Sequence, residues 1–247
     1  HQRKELDNIK DKKYELIFVT VGRHLFQETL ISLRKNNPDA RFILYLWDDV
    51  ARVDNFENVK KFYDVIFSID PEDCINNSFI FLPLFFTNEF YKDKETKLKF
   101  DVYSAMADHS DRVNIVKKLC KDNPSAKFLF YILLSKPEYI KSKLEKKNDS
   151  RINYIAKPVP KDKNREYLTA SKALLDIPYQ GQKGLTIRTF ECIQCGIKLI
   201  TTNKSIRYYD FFSENSIYII DRANPHLDMN FLDSSFDIPD FIVEKYS

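Results

Sequence analysis

Short apolar runs alternate with amphipathic, charge-rich stretches along most of the chain. From Glu15 to Leu82 the runs ELIFVTV, RFILYLW, DVIFSI and FIFL have strand length, and a helix is expected from about Leu25 to Asn36. A polar turn with a helix, and then a short helix, separate the later runs. Continuous apolar runs of this kind suit parallel strands buried on both faces. A break follows at FLPLFFTNEFYKDKETKLK, where no period is visible, and a linker is placed near Phe86 to Lys99.

A second block starts with strand FDVYSA and a helix over Asp111 to Lys121. Strand KFLFYIL, a Lys-rich helix after Pro137, strand INYIA and a helix from about Lys161 come next. The segment SKALLDIPYQGQKGLTIRTFECIQCGIKLITTN, from Ser171 to Asn203, then supplies a strand over Ala173 to Ile177, a helix over Thr186 to Cys195 and a strand over Ile197 to Thr202. Strand SIYII closes the block. The pattern therefore predicts an α/β protein of two Rossmann-like parallel-sheet domains, 1–95 and 96–247, facing a cleft.

The Ser171 to Asn203 segment holds three of the chain's four glycines around one acidic residue, Glu191. Strand-helix-strand order implies a parallel crossover, which puts the loop from Pro178 to Leu185 at the carboxyl end of a strand, where ligands of open α/β sheets bind. Gly181 and Gly184 permit backbone paths closed to other residues, and Gly184 would let main-chain N–H groups approach a phosphate at the helix start. Glu191 shares a helix face with Arg188 and Ile187, and its carboxylate can accept the hydroxyls of a sugar. A structural reading stands beside this one: Gly196 serves as a helix C′ residue, and Glu191 with Arg188 forms an ordinary surface pair.

Composition narrows the classes. The 247 residues are 43% hydrophobic, enough for real cores, and 39 basic against 36 acidic residues give a net charge of +3, too small a field to favour nucleic acid. Basic residues cluster at Arg3 to Lys13 and Lys141 to Lys147, as solvated helix faces or as a patch for peripheral membrane contact. No run reaches the roughly 18 apolar residues of a membrane span, and the charged start is no signal peptide, so a cytoplasmic or peripheral chain is expected. Cys74, Cys120, Cys192 and Cys195 fit reduced thiols, and the CxxC of the last two is read as helix packing because no second pair or suitably spaced His follows.

The ordered segments FILYLWDD, DVIFSIDPEDC and FLPLFF in the first block carry a resemblance. So do HSDR, SKALLDI...GQKGLTIRTFE...KLITTN and YDFF...IYIID in the second. Over about Tyr14 to Pro225 the chain resembles bacterial GT-B-fold glycosyltransferases of capsule, exopolysaccharide and lipopolysaccharide biosynthesis. The resemblance implies transfer of a sugar from a nucleotide-diphosphate sugar to a growing, lipid-linked surface glycan, with the acceptor on the N-terminal domain and the donor on the C-terminal one. It places Glu191 toward the ribose. Gln182, Lys183, Gly184, Leu185, Thr186 and Arg188 then lie toward the diphosphate, and His109, Ser110 and Arg112 in the same crevice.

A nucleotide diphosphate leaving group develops negative charge, which a helix N-terminus, Arg or Lys stabilises without a metal or other cofactor. Arg112 and Arg188 are the leaving-group candidates, while Ser110 or Asp111 could equally be an N-cap. Ser135 with Lys136, and Lys157 with Pro158, end two further strands where the resemblance implies base contacts; solvent exposure also explains both lysines. Asp48 and His24 end first-block strands and are the acid–base candidates, against readings as a helix cap and a surface residue. Trp47 could stack on a sugar or belong to the core.

Two departures qualify the resemblance. Relatives begin with a further strand-helix unit that is absent before His1, so an incomplete N-terminal domain is expected, and Ala107 and Asp108 stand where relatives read Gly-Thr-Ala before His. The missing unit motivates an alternative, a noncatalytic nucleotide-binding partner subunit. A nicotinamide-dependent epimerase or dehydrogenase is a third reading, weakened because VGRH after the first strand is no GxGxxG.

Overall fold

The computed structural model describes residues 9, 12–21, 26–87, 96–144 and 149–247. Two compact units divide the chain, one of 1–84 with Gln182–Leu185, the other of Phe85–Gly181 with Thr186–Ser247. Compared with the sequence division at 95/96, the boundary falls at Leu84, and four residues of the glycine-rich loop group with the first unit.

The first unit is a parallel sheet of order β1-β2-β3-β4, formed by Leu16–Thr20, Arg41–Leu46, Val65–Ser68 and Ile80–Phe81. Helices α1 (Gln27–Asn36), α2 (Phe56–Val59) and α3 (Pro71–Asn77) connect them. Leu30 and Leu33 of α1, Phe42, Leu44 and Leu46 of β2, and Val59 of α2 make its core. The expectation of strands buried on both faces fails at β1, where Leu16 and Phe18 are 52% and 51% exposed. The reason is position: among the described residues β1 pairs with β2 alone, at the edge of its sheet.

The second unit is a six-stranded parallel sheet of order β10-β9-β8-β5-β6-β7. Its strands are β5 (Phe100–Ala107), β6 (Phe128–Leu133), β7 (Ile152–Ile155), β8 (Ser171–Asp176), β9 (Lys198–Thr201) and β10 (Ile217–Ile219). Helices α4 (Arg112–Asp122), α5 (Lys136–Leu144), α6 (Lys161–Thr169), α7 (Ile187–Gln194) and α8 (Asp240–Glu244) accompany them. Strand order reverses between β5 and β8, so the loops after these two strands flank a topological switch point, the usual ligand crevice of an open α/β sheet.

Phe130 and Ile132 of β6, Leu175 of β8 and Ile200 of β9 lie wholly buried in the core of this sheet. All four cysteines are free thiols, and Cys192 and Cys195 are buried on and just past α7. Among the described residues no helix is long and apolar enough to cross a membrane.

Phe130 is 0% exposed in this core, whereas Leu16 already meets solvent. Phe130→Ala is expected to cost about 3–5 kcal/mol and Leu16→Ala under about 1 kcal/mol, as read from urea denaturation midpoints.

Candidate functional site

Strand β8 ends on Asp176, which is 3% exposed. Its Oδ2 accepts from Thr186 Oγ1 at 2.6 Å, and its Oδ1 lies 3.8 Å from Nη1 of Arg188. Thr186 is the N-cap residue of α7, yet its hydroxyl serves Asp176 rather than the helix N–H groups. The helix turns Thr189, Phe190, Cys192 and Ile193 into the core. Its other face, with Ile187, Arg188 and Glu191, lines a cavity of about 370 Å³.

The rest of the cavity wall comes from the carboxyl ends of β5, β6 and β7, from Pro158 and Val159 in the loop after β7, and from Asn164 of α6. Most of those side chains are apolar, among them Met106, Leu133, Ile155 and Val159. Burial raises the Glu191 carboxyl to about 7, against the opposing pull of Arg188 and Lys161 and with a small push from Asp176. A carboxyl poised near neutrality beside a cation and an apolar wall is a common mark of a binding site.

The loop after β5 meets the loop after β8. The His109 ring stacks on Tyr179, centroids 3.5 Å apart and planes within 3°. Ser110 takes the left-handed conformation, φ 57°, with Oγ 3.2 Å from His109 Nδ1. Asp111 receives Nε and Nη2 of Arg222, whose Nη1 donates to Pro178 O at 2.9 Å.

Arg112, expected to meet a leaving group, is placed otherwise. It is 5% exposed, and its Nε donates to Ile177 O at 2.6 Å while Nη1 donates to Ala107 O at 2.9 Å. Burial lowers its pKa to about 10. Main-chain carbonyls at strand ends need donors once they leave the ladder, and this guanidinium supplies them. The correction is that Arg112 joins two loops as scaffold, while Arg188 is the arginine that lines the cavity.

The other expected residues sort differently. In the first unit the carboxylate of Asp70, 3% exposed, accepts on Oδ2 from Lys183 N at 3.2 Å and Gly184 N at 3.3 Å. The N–H of Gly184, expected to face phosphate, is thus engaged by a side-chain carboxylate. Gly184 and Leu185 are buried, and Gln182 Nε2 donates to Gly184 O. Ser135 precedes α5, its N–H and hydroxyl both donating to Glu138 Oε2, and Lys136 and Lys157 are exposed. Asp48 lies 3.7 Å from Arg52, and Trp47 packs edge-on to Tyr45. His24 falls outside the described residues.

Sequence reasoning did not single out Asp176, Asn164, Tyr179, Arg222 or Asp70. Two of them carried a local signal: Asp176 closes the apolar run ALLD just before the loop, and Asp70 precedes Pro71 as an N-cap followed by proline at N1.

No protein-family model matches the sequence, and no curated protein matches it. Solved structures do match. AviGT4, a glycosyltransferase involved in avilamycin A biosynthesis, superposes at TM-score 0.64 with 9% identity, over 99% of this chain and 71% of its own. TarM gives 0.63 with 14% identity over 94% of this chain, which spans about half (52%) of TarM. T4 phage BGT in complex with UDP and Mn2+ gives 0.56 with 15% identity, over 97% of this chain and 81% of its own. At such identities the likeness shows the fold: α/β, two Rossmann-like parallel-sheet domains of the GT-B type.

Two substitutions check the local physics. A Cβ at residue 184 would sit 2.7 Å from Ile69 Cγ1 and 3.0 Å from the Ile69 carbonyl oxygen. Gly184→Ala is therefore expected to destabilise by about 1–3 kcal/mol, visible as a lower thermal midpoint. For Glu191 the folded state holds its proton more tightly than the unfolded chain. That contribution is full below about 4.5 and lost as pH rises through about 7. Glu191→Gln is expected to match the parent in thermal melts at pH 4.5 and to exceed its stability at pH 8, by about 1–3 kcal/mol.

Proposed function

We propose that the chain is a glycosyltransferase that uses a nucleotide-diphosphate sugar, with the cavity of the second unit holding the nucleoside diphosphate. The single observation that carries this reading is the cavity lining: Arg188 and Glu191, whose carboxyl burial raises to about 7, stand on one face of α7, against apolar strand ends beside the switch point. Glu191 accepts from the ribose hydroxyls, and a charged acceptor makes the stronger hydrogen bonds. Arg188 and the positive end of α7 lie toward the diphosphate, where negative charge grows as the sugar C–O bond breaks.

In that reaction the anomeric carbon exchanges its bond to the diphosphate oxygen for one to an acceptor hydroxyl, which releases its proton. UDP bound to T4 phage BGT and the glycosyltransferase AviGT4 support the class of donor. The ordered sequence resemblance supports a growing surface glycan of the capsule, exopolysaccharide or lipopolysaccharide kind, lipid-linked, as acceptor. His109 and Ser110, in the loop after β5, are proposed to approach the same donor.

Calorimetric titration with UDP, GDP, TDP and CMP tests the reading. At least one nucleoside diphosphate is expected to bind, with Arg188→Ala and Glu191→Ala each weakening it about tenfold at pH 8. Failure of the folded parent to bind any of them would overturn the proposal. Binding without sugar transfer or donor hydrolysis would instead favour the noncatalytic partner subunit.

A further inference from the structure

Asn164 of α6 is the wall residue of the cavity that carries a side-chain amide. Its Oδ1 accepts from the Tyr103 hydroxyl at 2.7 Å, across 61 residues of sequence. Tyr103 is 1% exposed on β5, and its ring packs against Tyr131 and Tyr167 with centroids 6.5 Å and 5.8 Å away. Burial raises its pKa, so the phenol keeps its proton and remains a donor. A buried phenol needs an acceptor, and the Asn164 carbonyl oxygen fills that need.

That bond changes what the amide can recognise. A free Asn side chain offers an acceptor and a donor together, the pair that matches adenine through its amino group and ring nitrogen. The bond to the buried Tyr103 hydroxyl takes one acceptor position of Oδ1 and turns that oxygen toward β5, which leaves Nδ2 as the end of the amide with no partner among the described residues. The other cavity side chains able to hydrogen-bond are Arg188, also a donor, and Glu191, assigned above to the ribose.

We infer that Asn164, held in place by Tyr103, reads the nucleobase of the donor and selects a base presenting a carbonyl at pyrimidine C4 or purine C6 over one presenting an amino group there. The inference rests on the donor-site reading proposed above. Uracil, thymine and guanine belong to the selected class, cytosine and adenine to the rejected one. The physical reason is asymmetric: a carbonyl oxygen satisfies Nδ2, whereas an amino group sets donor against donor. Asn164 contacts the base; Tyr103 is a positioning residue that acts through it.

Titration of the full chain with UDP, CDP, GDP, ADP and inorganic pyrophosphate tests this. The parent is expected to bind UDP over CDP, and GDP over ADP, by about tenfold or more. Tyr103→Phe keeps the ring but frees Oδ1, so both ratios should fall to within about threefold while pyrophosphate affinity stays unchanged. Asn164→Asp replaces the donors with acceptors and should turn the UDP to CDP preference toward CDP. A role confined to packing would move the melting temperature and all affinities together, leaving the ratios intact.

Parent binding of all four nucleotides within about threefold overturns the inference alone, as do ratios unchanged in both variants. Absence of binding by any nucleotide overturns it together with the donor-site reading.

Discussion

The carboxylate of Asp176, buried at the end of β8, organises the second unit's site. A buried charge is costly unless it is hydrogen-bonded or paired, and here the Thr186 hydroxyl donates at 2.6 Å and the Arg188 guanidinium forms an ion pair at 3.8 Å. Both belong to the start of α7, so the satisfaction of one carboxylate fixes where that helix begins and how it is turned. With Thr189, Phe190, Cys192 and Ile193 packed into the core, Arg188 and Glu191 are left on the cavity side. Burial raises the Glu191 carboxyl to about 7, and the Asp176 carboxylate adds to that rise.

The arginines divide between scaffold and site for a related reason. Parallel strands end in carbonyls that no neighbouring strand satisfies, and the loops after β5 and β8 answer with Arg112 on Ala107 O and Ile177 O, and Arg222 on Pro178 O. Such arginines tie together the loops that carry the stacked pair of His109 and Tyr179. Arg188 keeps 36% of its side chain exposed and stays on the cavity wall.

In the first unit Asp70 plays a comparable part. One carboxylate oxygen caps α3 through the N–H groups of Glu72 and Asp73, and the other takes Lys183 N and Gly184 N. A Cβ at Gly184 would crowd the Ile69 side chain as well as its carbonyl oxygen. The glycine that reads in sequence as a phosphate contact thus packs closely on Ile69, with its N–H on the chain's own carboxylate.

The sequence by itself determined the elements. Apolar runs such as RFILYLW and KFLFYIL have no low-cost fate but a sheet, and the alternation with helical stretches implies parallel crossovers, which the strands of the described residues follow. Glu191 and Arg188 were legible as a pair because they share one helix face, a relation set by spacing alone. Tertiary structure decided the strand order, the edge position that leaves β1 half exposed, and every partnership between distant residues. Asp176 with Thr186, Arg112 with Ile177, and Tyr103 with Asn164 join different elements, the last across 61 residues. Local propensity contains no term for such contacts. They arise because packing brings strand ends together and each buried polar group there must find a partner.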